Sequence, residues 1–307
     1  MRLRLILHGK AAREAKVRTA VEAVRADGHE VEVCVTFEAG DAARFARDAV
    51  ASPGLDAIVA GGGDGTVNEV FAATFLADPP PGLSLGVLPL GTANDFAHSA
   101  GIPVEDATAA LRLVTTTAAV PIDIGLLNGR PFVNVVSGGF GSRVTVETDP
   151  ELKRRLGGLA YVVTGVARFA EIAASRGRFQ AENFEWEGAF LALAIGNGRQ
   201  AGGGIPLCPA ALVDDGALDL VILPDVPPEA RFDTLALLLR QGSAAIDTLK
   251  VAARSAWIEY HSDEELYVNL DGEPIRSRRF RAECRPAALR VHMGRTGLLS
   301  RERNANG

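Results

Sequence analysis

The sequence predicts an α/β domain built on a parallel sheet, joined to a second, β-rich and sandwich-like domain. Three observations predict it. Up to residue 121, short apolar runs alternate with segments of helical period. From there to about residue 288, most runs are strand-like. A chain of 307 residues is also long for a single core. The predicted division is residues 1–121 plus 289–307 for the α/β domain and 122–288 for the β-rich one.

Residues 3–8 form the first strand, which ends at His8-Gly9-Lys10. A helix follows with Val17, Val21 and Val24 at helical spacing, and Gly28 stops it. Val31, Val33 and Val35 alternate as a second strand, and 40–51 is a second helix. Ile58, Val59 and Ala60 make a short buried strand; Gly61, Gly62, Gly63 and Gly65 follow, and Thr66 opens a third helical run. Ser84–Leu88 is the fourth strand. A parallel sheet binds its ligands at the carboxyl ends of its strands. Thr36, Gly61–Thr66 and Gly91–Asp95 all fall there, so topology alone gathers them into one site.

Past residue 121, Asn128-Gly129 between two apolar runs marks a hairpin. Strands are predicted at 189–195, 217–223, 256–260, 265–270 and 279–284, and at Ala288–Met293. Two helices interrupt them, at about 158–175 and 229–252, and the polar tail from Arg301 is expected to fray.

A formal net charge of −6 provides no global basic field, which argues against nucleic acid as a partner. Cys34, Cys208 and Cys284 are scattered and odd in number, so reduced thiols in a cytoplasmic compartment are expected. No apolar run reaches the ~18 residues of a membrane span, and the first is too short for a signal segment. The five histidines show no zinc spacing, and no GxSxG elbow begins a Ser/His/Asp triad.

The glycine-rich stretch is the most specific signal. Glycines let backbone N–H groups converge, and the helix that starts there adds its unpaired N–H groups and positive dipole end. That makes an anion cradle of the kind used for phosphate. It is neither the P-loop nor GxGxxG. Asp64 stands inside it, and an acid facing phosphate needs a cation between them or acts on a proton. No lysine stands within the loop, so a divalent cation, Mg²⁺ or Ca²⁺, is expected.

Gly-Gly-Gly-Asp-Gly-Thr (61–66), with Asn68-Glu69 after it, resembles the nucleotide loop of the diacylglycerol kinase catalytic family, distant relatives of NAD kinases. Val-Thr-Phe-Glu-Ala-Gly-Asp-Ala-Ala-Arg (35–44), Leu-Gly-Thr-Ala-Asn-Asp-Phe-Ala (90–97), Ile-Gly-Asn-Gly-Arg-Gln-Ala-Gly-Gly-Gly (195–204) and Asn-Leu-Asp-Gly-Glu-Pro (269–274) are similar to its bacterial lipid kinases, in the same order and nearly end to end. The resemblance implies an NAD kinase-like first domain to which the last strand, 288–293, returns. It implies ATP contacts from Gly63, Asp64, Gly65, Thr66, Val67, Asn68 and Glu69, with Thr36 and Thr92 as further contacts. It places the proton acceptor at Asp271, with Glu273 assisting or orienting, where the bare Asp-Gly otherwise marks only a turn. It also places a second metal at 211–218, held by Asp215 and the backbone oxygens of Leu212 and Ala217; an Asp-Asp-Gly turn is the plain alternative. The family pattern often has Asn-Pro after the first strand where this chain has His8-Gly9.

Two cationic stretches compete for a membrane role. Arg276–Arg285 alternates, with Phe280, Ala282 and Cys284 inward and Arg279, Arg281 and Arg285 towards solvent. Lys153-Arg154-Arg155 precedes an apolar helix with Leu159, Tyr161 and Val162. Lys10 and Arg199 read as solvated loop cations. The expected function is that of a cytoplasmic lipid kinase using ATP, transiently at the membrane surface, with no obligate protein partner. A soluble-substrate kinase of NAD kinase type and a non-catalytic nucleotide- or lipid-binding regulator are the rivals.

Overall fold

The structure, a computed structural model, describes residues 1–139, 174–226, 230 and 250–300. The chain begins β1 (Arg2–Leu7), α1 (Ala15–Ala26), β2 (Glu30–Val35), α2 (Asp41–Val50), β3 (Ala57–Gly62), α3 (Asp64–Leu76) and β4 (Ser84–Pro89). The short α4 (Asp95–Ser99) and then α5 (Ala107–Thr116) complete this half. The β-rich half contains β5 (Val120–Leu127), β6 (Arg130–Phe132), β7 (Val135–Gly139), β8 (Ser175–Ala181), β9 (Phe184–Gly196) and the small pair β10 (Gln200–Ala201) and β11 (Ile205–Pro206). It ends with β12 (Leu218–Pro224), β13 (Val251–Ser255), β14 (Trp257–Leu270) and β15 (Glu273–Val291).

The alternating half is the predicted parallel sheet, in the order β4-β3-β1-β2. β3 and β4 are buried along their whole lengths, as strands covered on both faces must be. β2 lies at the edge; Val31 is buried, whereas Val33 and Val35 remain 37% and 43% exposed. Asn128 and Gly129 both take positive φ between Leu127 and Arg130, the turn that suits the twist of a hairpin.

The two halves share strands. β15 pairs with β14 along most of its length, bulges after Arg285, runs on beside β5, and reaches β4 in parallel at Val291↔Leu85. The expected boundaries at 121 and 288 therefore fall inside β5 and β15. The segments 256–260 and 265–270 belong to one strand, β14, bent by a bulge between His261 and Leu266. Ser175 opens β8, and Val251 opens β13, where helix ends were expected. The bodies of those two helices, the 153–162 basic-apolar segment and the tail from 301 lie outside the described residues.

Each half has its own core. Val59, Phe71, Leu88 and Leu111 centre the first, and an aromatic cluster of Phe179, Phe190, Tyr260 and Phe280 the second. Phe280, Ala282 and Cys284 point inward as alternation requires; Arg281 pairs with Glu259 and Glu283, and Arg285 with Glu283. This arginine run is a solvated, ion-paired face. Among the described residues no helix is long and apolar enough to cross a membrane.

His292, where β15 meets β4, is buried against Ser84 Oγ (2.9 Å) and the Thr117 carbonyl (2.9 Å). Burial depresses its pKa below 6.5. The unfolded chain therefore takes up this proton first as pH falls. His292 contributes stability that is full above pH ~6.5 and lost below it, by at most about 1.4 kcal/mol per pH unit. Melting temperatures from pH 8 to 5.5 should fall below ~6.5 in the parent, with a shallower slope in His292→Gln.

Candidate active site

The carboxyl ends of β1–β4 converge on one rim. After β1, His8 N–H donates to the Gly61 carbonyl (2.7 Å) and Gly9 N–H to Thr36 Oγ1 (3.1 Å). A Cβ on Gly9 would stand 2.4 Å from the Thr36 carbonyl oxygen, so the His8-Gly9 loop requires glycine to close against β2. Lys10 is thereby fixed on a short 3₁₀ turn at the rim.

The glycine cradle is built from two strand-to-helix junctions pressed together. A Cβ on Gly91 would lie 2.4 Å from Gly63 Cα, and one on Gly63 would lie 3.1 Å from Gly91 Cα. α3 starts at Asp64, two residues before the expected Thr66, so Gly65 occupies its first turn. Asp64 Oδ1 accepts the Phe96 N–H (3.0 Å) and joins the two junctions; burial raises its pKa. Asn94 neither caps α4 through its side chain nor projects into the site. Its amide makes a pair of 2.9 Å bonds with the Gly91 N–H and carbonyl. Asp95, buried, accepts the N–H groups of Gly203 (3.0 Å) and Gly204 (2.6 Å), anchoring the loop after β10. Sequence reasoning did not single out Asp95, because its partners stand 108 and 109 positions away.

Two adjoining cavities open here. One, of about 680 Å³, is lined by Val35, Thr36, Phe37 and Ala42. The other, of about 540 Å³, is lined by Gly62, Gly63, Gly65, Gly91, Thr92 and Glu273. His8, Lys10, Thr66 and Glu69 line both. Lys10 is therefore a solvated cation, as expected, that stands at the rim of both cavities. Glu69 Oε1 also accepts the Ala43 N–H (3.1 Å), tying α3 to α2. Of the other expected contacts, Asp64 and Asn68 are half-buried, and Val67 turns its side chain into the core and donates its N–H to Gly63 (3.0 Å); none of the three lines a cavity.

Across the second cavity stands the β14–β15 turn. Asp271, at φ 44°, accepts three backbone N–H groups: Val133 (2.8 Å) and Asn134 (3.3 Å) on Oδ2, and Val135 (3.1 Å) on Oδ1. Asn197, fully buried, braces that segment by donating to the Asp123 (3.2 Å) and Val133 (2.9 Å) carbonyls. Desolvation pushes the Asp271 carboxyl up to about 6, against those three hydrogen bonds; the Asp64 charge adds to the rise. Glu273 faces the glycine cradle and pairs with Arg130 (2.6 Å).

The 211–218 turn is arranged differently. Asp215 accepts the Ala217 N–H (3.0 Å) and pairs with the Arg254 guanidinium, while Leu212 is buried. The adjacent carboxylate of Asp123 is spent on the Gly216 and Ala287 N–H groups. A cation at this turn would rest on one carboxylate and the backbone oxygens, since no cluster of three acidic, His or Cys ligands occurs among the described residues. At the cradle, phosphate oxygens would supply most of a cation's ligands, so half-buried Asp64 at the start of α3 fits as the protein's carboxylate there.

Residues 2–127 match the diacylglycerol kinase catalytic domain family, and 134–293 match the YegS C-terminal NAD kinase beta sandwich-like domain family. A Pseudomonas aeruginosa (strain UCBPP-PA14) protein named "Probable lipid kinase YegS-like" is 53% identical, over 97% of this chain and 96% of its own length. A protein of the same name from Xanthomonas euvesicatoria pv. vesicatoria is 47% identical, over 94% and 95%. The crystal structure of a diacylglycerol kinase from Bacillus anthracis str. Sterne superposes with a TM-score of 0.72 at 20% identity, covering 95% of this chain and 97% of that one. At that identity the superposition speaks for the fold.

Proposed function

Because the chain belongs to the diacylglycerol kinase catalytic family, among its YegS-like lipid kinases, we propose that it transfers the γ-phosphate of ATP to a membrane lipid hydroxyl. Phosphatidylglycerol or a diacylglycerol-like alcohol is the acceptor, and Asp271 takes its proton. One observation carries this reading: the turn bearing Asp271 and Glu273 closes the cleft opposite the Gly63–Gly91 cradle. The phosphates lie on the cradle and the acceptor hydroxyl approaches from the turn. Its oxygen bonds to the γ-phosphorus as the bond to the bridging oxygen breaks, the proton passes to the carboxylate, and ADP leaves. Asp64 would hold a divalent cation through water, and that cation would supply neutralisation of the phosphate charge.

A second reading exchanges the two acids. Glu273 lines the cleft directly, whereas both oxygens of Asp271 already accept backbone N–H groups. In this version Asp271 shapes the turn and Glu273 receives the proton.

The test is transfer from γ-labelled ATP to a lipid panel in mixed micelles with Mg²⁺, with NAD as soluble control. Label in one lipid is expected. Label in NAD instead would assign the chain to soluble substrates, and ATP binding with no transfer to any acceptor would leave a regulator.

A further inference from the structure

We propose that ATP lies with its base against Phe37, in the cavity at the end of β2, and with its phosphates passing Lys10 into the glycine cradle. This orientation deepens the ATP reading above and rests on it. Phe37 is 97% exposed, the most exposed large apolar side chain among the described residues. Its backbone is nevertheless held firmly. The N–H groups of Phe37 (2.8 Å) and Glu38 (3.1 Å) both donate to Asp41 Oδ2. Asp41 is 5% exposed, and these bonds together with Arg44 hold its carboxyl at about 2, so it stays ionised through any working pH. A bulky ring presented to water on a pinned loop is a stacking platform, since every nucleobase offers a π-face and little ordering remains to be done on binding.

The surroundings select a nucleoside. The cavity of about 680 Å³ beside Phe37 has the apolar wall of Val35 and Ala42 and the size of a small-molecule site. It shares Lys10, His8 and Thr66 with the cavity that holds the cradle, so one trench runs from Phe37 to Gly91. A membrane contact is the poorer match for Phe37, because Glu38 follows it immediately and an anionic surface repels that charge.

Charge fixes the middle of the trench. Among the described residues Lys10 is the one lysine or arginine lining either cavity, against Glu14, Glu38, Glu69 and Glu273. The cradle loop itself contains no cation. A polyphosphate crossing from one cavity to the other passes the Lys10 ammonium where the two meet, and a charge-assisted contact there is worth most.

Displacement of a fluorescent ATP analogue by ATP, adenosine and inorganic tripolyphosphate tests the orientation in the full-length protein. Both side chains are exposed, so Phe37→Ala and Lys10→Met should melt with the parent. Phe37→Ala is expected to weaken ATP and adenosine by about 5- to 150-fold and leave tripolyphosphate unchanged. Lys10→Met is expected to weaken ATP and tripolyphosphate by about 10- to 150-fold and leave adenosine unchanged. Parental affinities in both variants would overturn the orientation while the kinase reading stood. Weaker vesicle binding by Phe37→Ala, with nucleotide affinity intact, would overturn it in favour of the membrane. A parent protein that binds none of the three would overturn the ATP reading, and this one with it.

Discussion

Asp271→Asn is expected to lower kcat by ~10²–10⁴-fold, the usual contribution of one positioned base, while ATP affinity hardly changes. Asparagine is the informative replacement because it tolerates the left-handed backbone that Asp271 adopts at φ 44°. Its carbonyl oxygen can take the place of Oδ2 and accept from Val133 and Asn134. Its amide nitrogen then faces the Val135 N–H, which loses its acceptor at a cost of about 1–3 kcal/mol. Some loss of melting temperature therefore accompanies the kinetic loss, and unchanged ATP affinity is the control for an intact cradle. The pH profile separates chemistry from packing. With the carboxyl raised to about 6, the active, deprotonated base accumulates as pH rises, so kcat/KM of the parent should climb and level off above that value. Linkage runs the opposite way. Between the unfolded value of 3.8 and about 6 the native state binds the proton more tightly, so this group's contribution to stability declines as pH rises through that window. Asp271→Asn should lose both the rising limb and that stability slope. If Glu273→Gln removes the limb and Asp271→Asn keeps it, the proton goes to Glu273.

The sequence made some parts of this molecule legible and hid others for physical reasons. Alternating strands and helices, Gly28 as a helix stop and Asn128-Gly129 as a hairpin are local signals, and each appears where expected. The convergence of Thr36, Gly63 and Gly91 follows from parallel topology alone. The long strands were not legible, because β14 and β15 change partners or bulge partway, and partner choice leaves no mark on a short window. Lys10 looked like any loop lysine until the close approach of Gly9 to Thr36 set it at the meeting of the two cavities. Asp215 stands in a local Asp-Asp-Gly turn, and the pairing of β13 with β12, invisible in that short window, sets Arg254 beside it.

Gly91→Ala should weaken ATP binding by ~5- to 150-fold, the equivalent of about 1–3 kcal/mol of overpacking expressed at the site. The added methyl would stand 2.4 Å from Gly63 Cα, 3.3 Å from Gly63 N and 2.9 Å from Asn94 Oδ1. None of these is the loose end of a flexible side chain. Gly63 cannot retreat easily, since its carbonyl takes the Val67 N–H (3.0 Å) in the first turn of α3. Gly91 cannot retreat either, being held through its N–H and its carbonyl by Asn94, while Leu90 N–H bonds to the Gly62 carbonyl (2.9 Å). Something in the backbone must move, and the N–H groups aimed at phosphate move with it. Gly65→Ala separates this collision from a general effect of removing glycine. A Cβ there meets nothing within 4 Å, and in a helical turn alanine favours folding by roughly 0.5–1 kcal/mol. Melting should therefore fall for Gly91→Ala and hold or rise for Gly65→Ala. ATP affinity unchanged in Gly91→Ala would mean that the phosphates do not rest on this pair of glycines, however closely the two loops are packed.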